Sequence, residues 1–144
     1  QLVARRVGTM RRLLCASPEY LGSAPPLVDP ADLKVHRCIA FSGLRTGTLW
    51  QFSQHRRRRS VRIDPVLSSN DAQAVLDAAL AGVGIAMQGD YMADALVAAG
   101  RLVEVLPDWP LSSSPIHLLW LPGADRTPAL RLLIDDLADA LATG

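Results

Sequence analysis

The chain has 144 residues, a net charge of +1, 49% hydrophobic residues and 5% aromatics. That length supports one ordinary domain with its own core, and the near-neutral total excludes a chain built throughout as a polycation for nucleic acid. No apolar run of about 18 residues occurs, which excludes a membrane-spanning helix, and the opening QLVARRVG lacks the apolar core of a secretory signal.

Leu2-Val3-Ala4 reads as a short strand or connector, and Arg11 to Ala16 as a buried strand closed by Ser17-Pro18. Residues 22–30 hold three prolines and a glycine and read as a loop. Asp29-Pro30 is a helix start, with Asp29 as N-cap and Pro30 in the first helical position. That helix must be short, because Arg37 to Phe41 is the next strand. Ser42 to Thr48 is a loop. Leu49–Ser53 and Val61–Leu67 read as strands around a turn-like run from Gln54 to Ser60, and Pro65 marks the second as an edge strand or as interrupted there. The clearest helix runs from Asn70 to Ala81, capped by Ser69 or Asn70, with Val75, Leu76, Ala79 and Leu80 on its apolar face.

Gly82 suits the left-handed position after that helix, and Gly84 to Met87 is a short buried strand. Asp90 caps a further helix ending at Gly100, with Tyr91, Ala95, Leu96 and Ala99 in periodic positions. Leu102–Leu106 and Ile116–Leu121 are strands. Thr127-Pro128 opens a last helix whose face is Leu130, Leu133, Ile134, Leu137 and Leu141. Strands alternating with helices over short loops predict an α/β fold with a mostly parallel sheet.

Few residues suggest chemistry. His36, His55 and His117 show no metal-ligand spacing with the cysteines; His36 reads as a surface or capping residue. Cys15 and Cys38 fall inside apolar strands and read as small core side chains rather than a redox pair. With no secretory signal, they fit a reducing cytosol. Gly82-Val83-Gly84 is not a dinucleotide loop, because its glycines follow a helix and precede a strand. No nucleophile motif stands out, so no enzymatic reading gains support. Arg56 to Arg59 offers phosphates a patch, but no aromatic interleaves it, and the plainer reading is a solvated loop between strands. Ser68-Ser69-Asn70-Asp71 sits where a helix start leaves N–H groups suited to a small carboxylate.

The phrases LVARRVGTMRRLLCASPEYL, DLKVHRCIAFS, Trp50-Gln51-Phe52, SSNDAQAVLDAALAGVGIAM, AGRLVEVLPDW and PIHLLWLPG, in this order, resemble the effector-binding domain of LysR-type transcriptional regulators. The resemblance implies a periplasmic-binding-protein-like α/β fold, with two subdomains and a ligand cleft. It assigns residues 11–106 to subdomain II, and residues 1–10 and 107–144 to linking and subdomain I elements. The chain starts with Gln1 inside a strand-like stretch and reads as a piece truncated at its N-terminus. The winged helix-turn-helix that binds promoter DNA in this family is not in it. Exposed apolar surface is expected around Ile116–Leu121 and the last helix.

The resemblance further implies a cytoplasmic regulator, a homodimer or homotetramer when full length, without a cofactor or metal. Its effector is a small metabolite, in this family often a carboxylate. It directs attention to Phe41, Ser42 and Gly43, to Trp50 as an apolar lid, and to Ser69 and Asn70 as an anion-facing helix start. A solute-binding protein of a transporter shares the fold and is the alternative reading.

Overall fold

The computed structural model describes residues 1–44 and 47–142. In chain order the elements are β1 (Val3–Met10), β2 (Arg12–Ala16), α1 (Pro18–Ser23), a 3-10 helix (Pro30–Val35), β3 (Cys38–Phe41), β4 (Leu49–Gln54) and β5 (Arg57–Arg62). They continue with β6 (Pro65–Ser69), α2 (Ala72–Leu80), β7 (Ile85–Gly89), α3 (Asp90–Ala98), β8 (Val103–Val105), β9 (Ser114–Trp120), a second 3-10 turn (Ala124–Arg126) and α4 (Pro128–Ala142). They form two compact units: Gln1–Met10 with Ser113–Gly144, and Arg11–Ser112.

The larger unit is built on a five-stranded sheet of order β6-β3-β7-β2-β8. β6, β3 and β7 are parallel neighbours, while β2 pairs antiparallel with both β7 and β8. Four strands therefore share one direction, as the alternation of strands and helices predicts. The neighbour pairs nonetheless split evenly, because β2 is inserted against the common direction. Pro65 does open an edge strand, which spares the ladder the N–H that proline lacks.

Alternation along each strand gives the sheet two buried faces. Leu13, Cys15, Ile39 and Ala86 meet Val75, Leu76 and Ala79 of α2 and Ala93 of α3. On the opposite face Leu14, Ala16, Cys38, Ala40 and Ile85 meet Tyr20, Leu33, Trp50, Phe52 and Val61. Each fully buried Ile, Val or Leu stabilises the unit by about 1.5–3 kcal/mol, so these two layers carry its stability. Cys15 and Cys38 belong to opposite layers and cannot pair. Burial pushes both thiols up to about 12, far from the thiolate that redox chemistry needs.

Local chemistry explains the element ends. Asp29 caps the 3-10 helix through Ala31 N–H, and Asp32 reaches back to Asp29 N–H, which closes a capping box. Ser17 does more than close β2: it caps α1 by accepting Tyr20 N–H at 3.1 Å, with Pro18 in the first turn. The sequence pattern predicts no helix there. α2 starts at Ala72, and its cap is Asp71, which accepts Gln73 N–H at 3.0 Å. Ser69 instead accepts Asp71 N–H. Gly89 precedes α3 without a side-chain cap, and the buried helix face carries Ala93, Leu96 and Val97, while Tyr91 is exposed.

His36 is not a surface residue. It is buried beside Tyr20, whose hydroxyl lies 2.8 Å from His36 Nδ1 and also accepts Arg37 N–H at 3.1 Å. On the other side of the ring His36 Nε2 lies 3.4 Å from Pro26 C=O. These contacts pin the 3-10 helix to α1. Burial raises the Tyr20 phenol above its ordinary value.

The smaller unit pairs β1 antiparallel with β9 and packs α4 on β1. β1 is a strand of eight residues, longer than the connector read from Leu2-Val3-Ala4. Gly8 is needed where α4 approaches, since a side chain there would meet Leu141 at 3.2 Å. Ile134 and Ala138 are buried, whereas Leu119, Leu121, Leu132 and Leu133 are exposed.

Candidate functional site

The carboxyl ends of parallel strands are where α/β sheets seat ligands. Here that edge is formed by Phe41, Ser69 and Gly89, and by Arg12, which pairs with Gly89 at the start of the reversed β2. The loop after β3 and the turn before α2 do meet: Phe41 pairs with Ser69, and Ser42 N–H donates to Ser69 C=O at 2.9 Å. Gln88, buried on β7, donates to Ala72 C=O at 3.2 Å and holds the start of α2 at this edge.

A hollow of about 400 Å³ opens beside this edge, within the larger unit, lined by Arg12, Gly43, Leu44, Gln51, Met87 and Leu111 among others. Its size lies in the range of small-molecule pockets. Strand alternation explains its lining. Arg12 lies two residues before Leu14 on β2 and Met87 two residues after Ile85 on β7, so both point to the face that carries the β4–β5 hairpin. Leu49 and Gln51 close it from β4, and Leu111 and Ser112 from the segment after β8. Among the described residues one guanidinium and no carboxylate line it.

The hairpin wall is firmly held. Ser53 N–H donates to Pro110 C=O at 3.0 Å, and Gln54 Nε2 to Asp108 C=O at 3.2 Å. Arg59 grips Asp29 with two hydrogen bonds of 3.0 and 2.8 Å and lies over the Trp109 ring. That grip holds the Asp29 carboxyl below its ordinary range.

Of the residues singled out in the sequence, Gly43 lines the hollow and Ser42 precedes it in the chain, while Ser69 pairs with Phe41 at the sheet edge and Asn70 follows it. Phe41 points to the α2 side, and its ring folds over Gly43, where a Cβ would meet it at 2.4 Å. Trp50 is corrected: it is 2% exposed in the core layer between hairpin and sheet, so it is no lid. The inner position follows from register, since Trp50 and Phe52 alternate with exposed Gln51 and Ser53. The helix start is corrected too, because the cap position there is filled by the Asp71 carboxylate, which repels an incoming anion.

Arg12, Gln51, Met87 and Ser112 were not singled out. Arg12 could have been found from its alternation with Leu14 once β2 was known to begin at the carboxyl edge. Thr46 and Arg45, in the predicted loop after β3, lie outside the described residues.

Comparison with known proteins places this architecture. The profile described as LysR substrate binding domain matches residues 1–142. The HTH-type transcriptional regulator PtxR of Pseudomonas aeruginosa is 31% identical over 141 residues, 97% of this chain and 45% of PtxR. The HTH-type transcriptional activator TtdR of Escherichia coli is 30% identical over 137 residues, 94% of this chain and 44% of TtdR. The chain thus spans less than half the length of these relatives. Among solved structures, the full-length Vibrio cholerae virulence activator AphB aligns with a TM-score of 0.82 at 26% identity, over 97% of this chain and 48% of AphB. The regulatory domain of CrgA from Neisseria meningitidis aligns with a TM-score of 0.85 at 24% identity, over 98% of this chain and 70% of that domain; at this identity it speaks for the fold alone.

Proposed function

We propose that this chain, which belongs to the LysR substrate-binding domain family, senses a small carboxylate at the carboxyl edge of its five-stranded sheet. The observation that carries the reading is the hollow of about 400 Å³ with the Arg12 guanidinium in its wall. Gln51 and Ser112 add hydrogen-bonding groups, while Met87 and Leu111 give apolar contact to a ligand body. Ser42, Gly43, Ser69 and Asn70 form the rim, and Phe41 props the Gly43 turn. The residues 11–106 act as the second lobe of a two-lobed effector domain.

In the longer cytoplasmic regulator, the effector favours one arrangement of the lobes. The shift repositions helix-turn-helix domains on promoter DNA in a homodimer or homotetramer. Such coupling requires different effector affinities in the two states. The relatives are named as transcriptional regulators, which favours this reading over a transporter's solute-binding protein or an enzyme.

Calorimetry with aliphatic, hydroxy- and aromatic carboxylates tests the proposal. A charge-assisted hydrogen bond contributes about 1.5–3 kcal/mol, so Arg12→Gln is expected to weaken the carboxylate that binds by about tenfold or more. Unchanged affinity in that variant removes Arg12 from the site, and no binding by any of the three classes rejects a carboxylate effector.

A further inference from the structure

The arginine run is not a solvated loop. Arg57, Arg58 and Arg59 lie in β5, and only His55 and Arg56 make the turn, with His55 in the left-handed region at φ 56°. Residues 33–63 carry eight of the chain's 15 basic residues and none of its 14 acidic ones, so the remainder of a chain of net +1 has net −7. The charge is therefore concentrated in one stretch, and β4 and β5 are its most basic part.

Register decides which arginines are available. Trp50 with Val61, and Phe52 with Arg59, face inward. Arg59 is committed to Asp29. Leu49 with Arg62, Gln51 with Ser60, and Ser53 with Arg58 face outward. Apart from half-buried Leu49, this outer face is exposed and wholly polar. Arg56 at the tip and Arg57 at the strand start are exposed as well. No carboxylate pairs with Arg56, Arg57, Arg58 or Arg62 among the described residues.

We infer that the outer face of the β4–β5 hairpin is a second, sequence-independent contact surface for the phosphate backbone of duplex DNA. Outward residues of one strand stand about 7 Å apart, while the phosphates of one DNA strand rise about 3.4 Å apiece along the helix axis, so successive outward side chains can reach neighbouring phosphates. Arg58, Ser60 and Arg62 repeat at that spacing, with Ser53 and Gln51 across from them. Arginine, serine and glutamine are residue types that contact phosphate oxygens. A hollow of about 310 Å³ at the hairpin is bordered by Arg58, Arg59, Ser53, Ser60 and Ser112 among others, two guanidiniums and three hydroxyls with no carboxylate among the described residues. The outer face has no aromatic, so it offers single strands no stacking platform. It has no apolar stripe to hold an amphipathic acidic segment of a protein. The inference rests on the regulator reading only in supposing duplex DNA near the domain.

The test is fluorescence anisotropy of this chain with a labelled duplex of about 20 base pairs, at salt from about 25 to 200 mM. Each phosphate neutralised contributes about 0.9 to the slope of log affinity against log salt. The wild type is expected to show a slope of about −3 to −4. Changing Arg56, Arg57, Arg58 and Arg62 together to Gln is expected to remove most of that slope and to weaken low-salt binding more than tenfold. Changing the four to Lys keeps the charge and is expected to retain binding, which covers the case of a Gln variant that fails to fold. Changing Arg101, Arg126 and Arg131 to Gln, exposed elsewhere, is expected to leave binding in place. Three results overturn the proposal: no duplex binding at the lowest salt, an equal loss in the Arg101, Arg126 and Arg131 variant, or displacement of DNA by polyglutamate at equivalent charge. A chain that binds a carboxylate but no duplex sinks this inference and leaves the effector reading standing.

Discussion

Replacing Trp50 separates a core residue from a ligand lid. Trp50 is 2% exposed and packs between the β4–β5 hairpin and the sheet, in a layer with Tyr20, Leu33, Phe52 and Val61. A buried indole removes about 150–250 Å² from water, which at about 25 cal/mol per Å² corresponds to about 4–6 kcal/mol. Measured Phe or Trp to Ala losses in cores are about 3–5 kcal/mol, and a domain holds about 5–15 kcal/mol in total. Trp50→Ala is therefore expected to remove much of the larger unit's stability. Trp50→Phe keeps most of the volume and is expected to cost clearly less. Urea titration followed by far-UV circular dichroism reads both, because that signal does not depend on the deleted fluorophore. With a urea slope of about 1–3 kcal/mol per M, the Ala variant's midpoint falls by about 2 M. A loss below about 1 kcal/mol, coupled to lost carboxylate binding in a folded protein, would refute the core assignment.

Gly84 is a second point where the fold leaves no room. A Cβ there would lie 2.3 Å from Arg37 C=O, and that carbonyl already accepts Ile85 N–H at 2.8 Å. Gly84→Ala must separate β3 from β7 at their first paired residues, and thermal melts are expected to show a loss of several °C, whereas Gly22→Ala, with open space around it, is expected to change little. Acid loosens the hairpin wall through Asp29. Its pKa is lowered in the fold by the Arg59 hydrogen bonds and Ala31 N–H, so its contribution is complete above the unfolded value of about 3.9 and is lost as pH falls through the lower folded value. Tryptophan emission at rising acidity is expected to change in that window as Arg59 leaves Trp109, and Asp29→Asn is expected to show the change already at neutral pH.

Several elements were legible because their signals are local. Asp29, Pro30 and Asp32 announce the capping box, and Gly82, at φ 82°, announces the end of α2. The misreadings have physical causes. Charge runs look like loops, yet arginine stems lie easily on a strand whose other face is buried, and Val61 opposite Trp50 supplies that face. Ser17-Pro18 ends a strand and starts a helix at once, and a strand end masks the helix start. The cap of α2 falls one or two residues later than the sequence predicts, because Ser69, Asn70 and Asp71 are all good caps. Arg12 was silent for a different reason: its importance comes from the reversed direction of β2, a property of topology that no local pattern encodes.

The two units differ in how complete their cores are. The larger has helices on one face of its sheet and a hairpin with short helices on the other, and both faces are filled. In the smaller, two strands and one long helix bury Val7, Ile134 and Ala138, and leave Leu2, Leu119, Leu121, Leu132, Leu133 and Leu137 exposed. The Trp120 indole N–H, shielded from solvent, meets no acceptor among the described residues. A two-stranded ribbon is marginal alone and needs more strands or another layer to be stable, and an exposed apolar patch of this kind marks an interaction surface or an aggregation liability. The expectation of bare apolar surface on β9 and α4 thus agrees with the burial pattern. The same asymmetry explains why the candidate sites fall in the larger unit: a binding site needs walls that hold their positions without the ligand, and there the anchored hairpin and the sheet edge supply them.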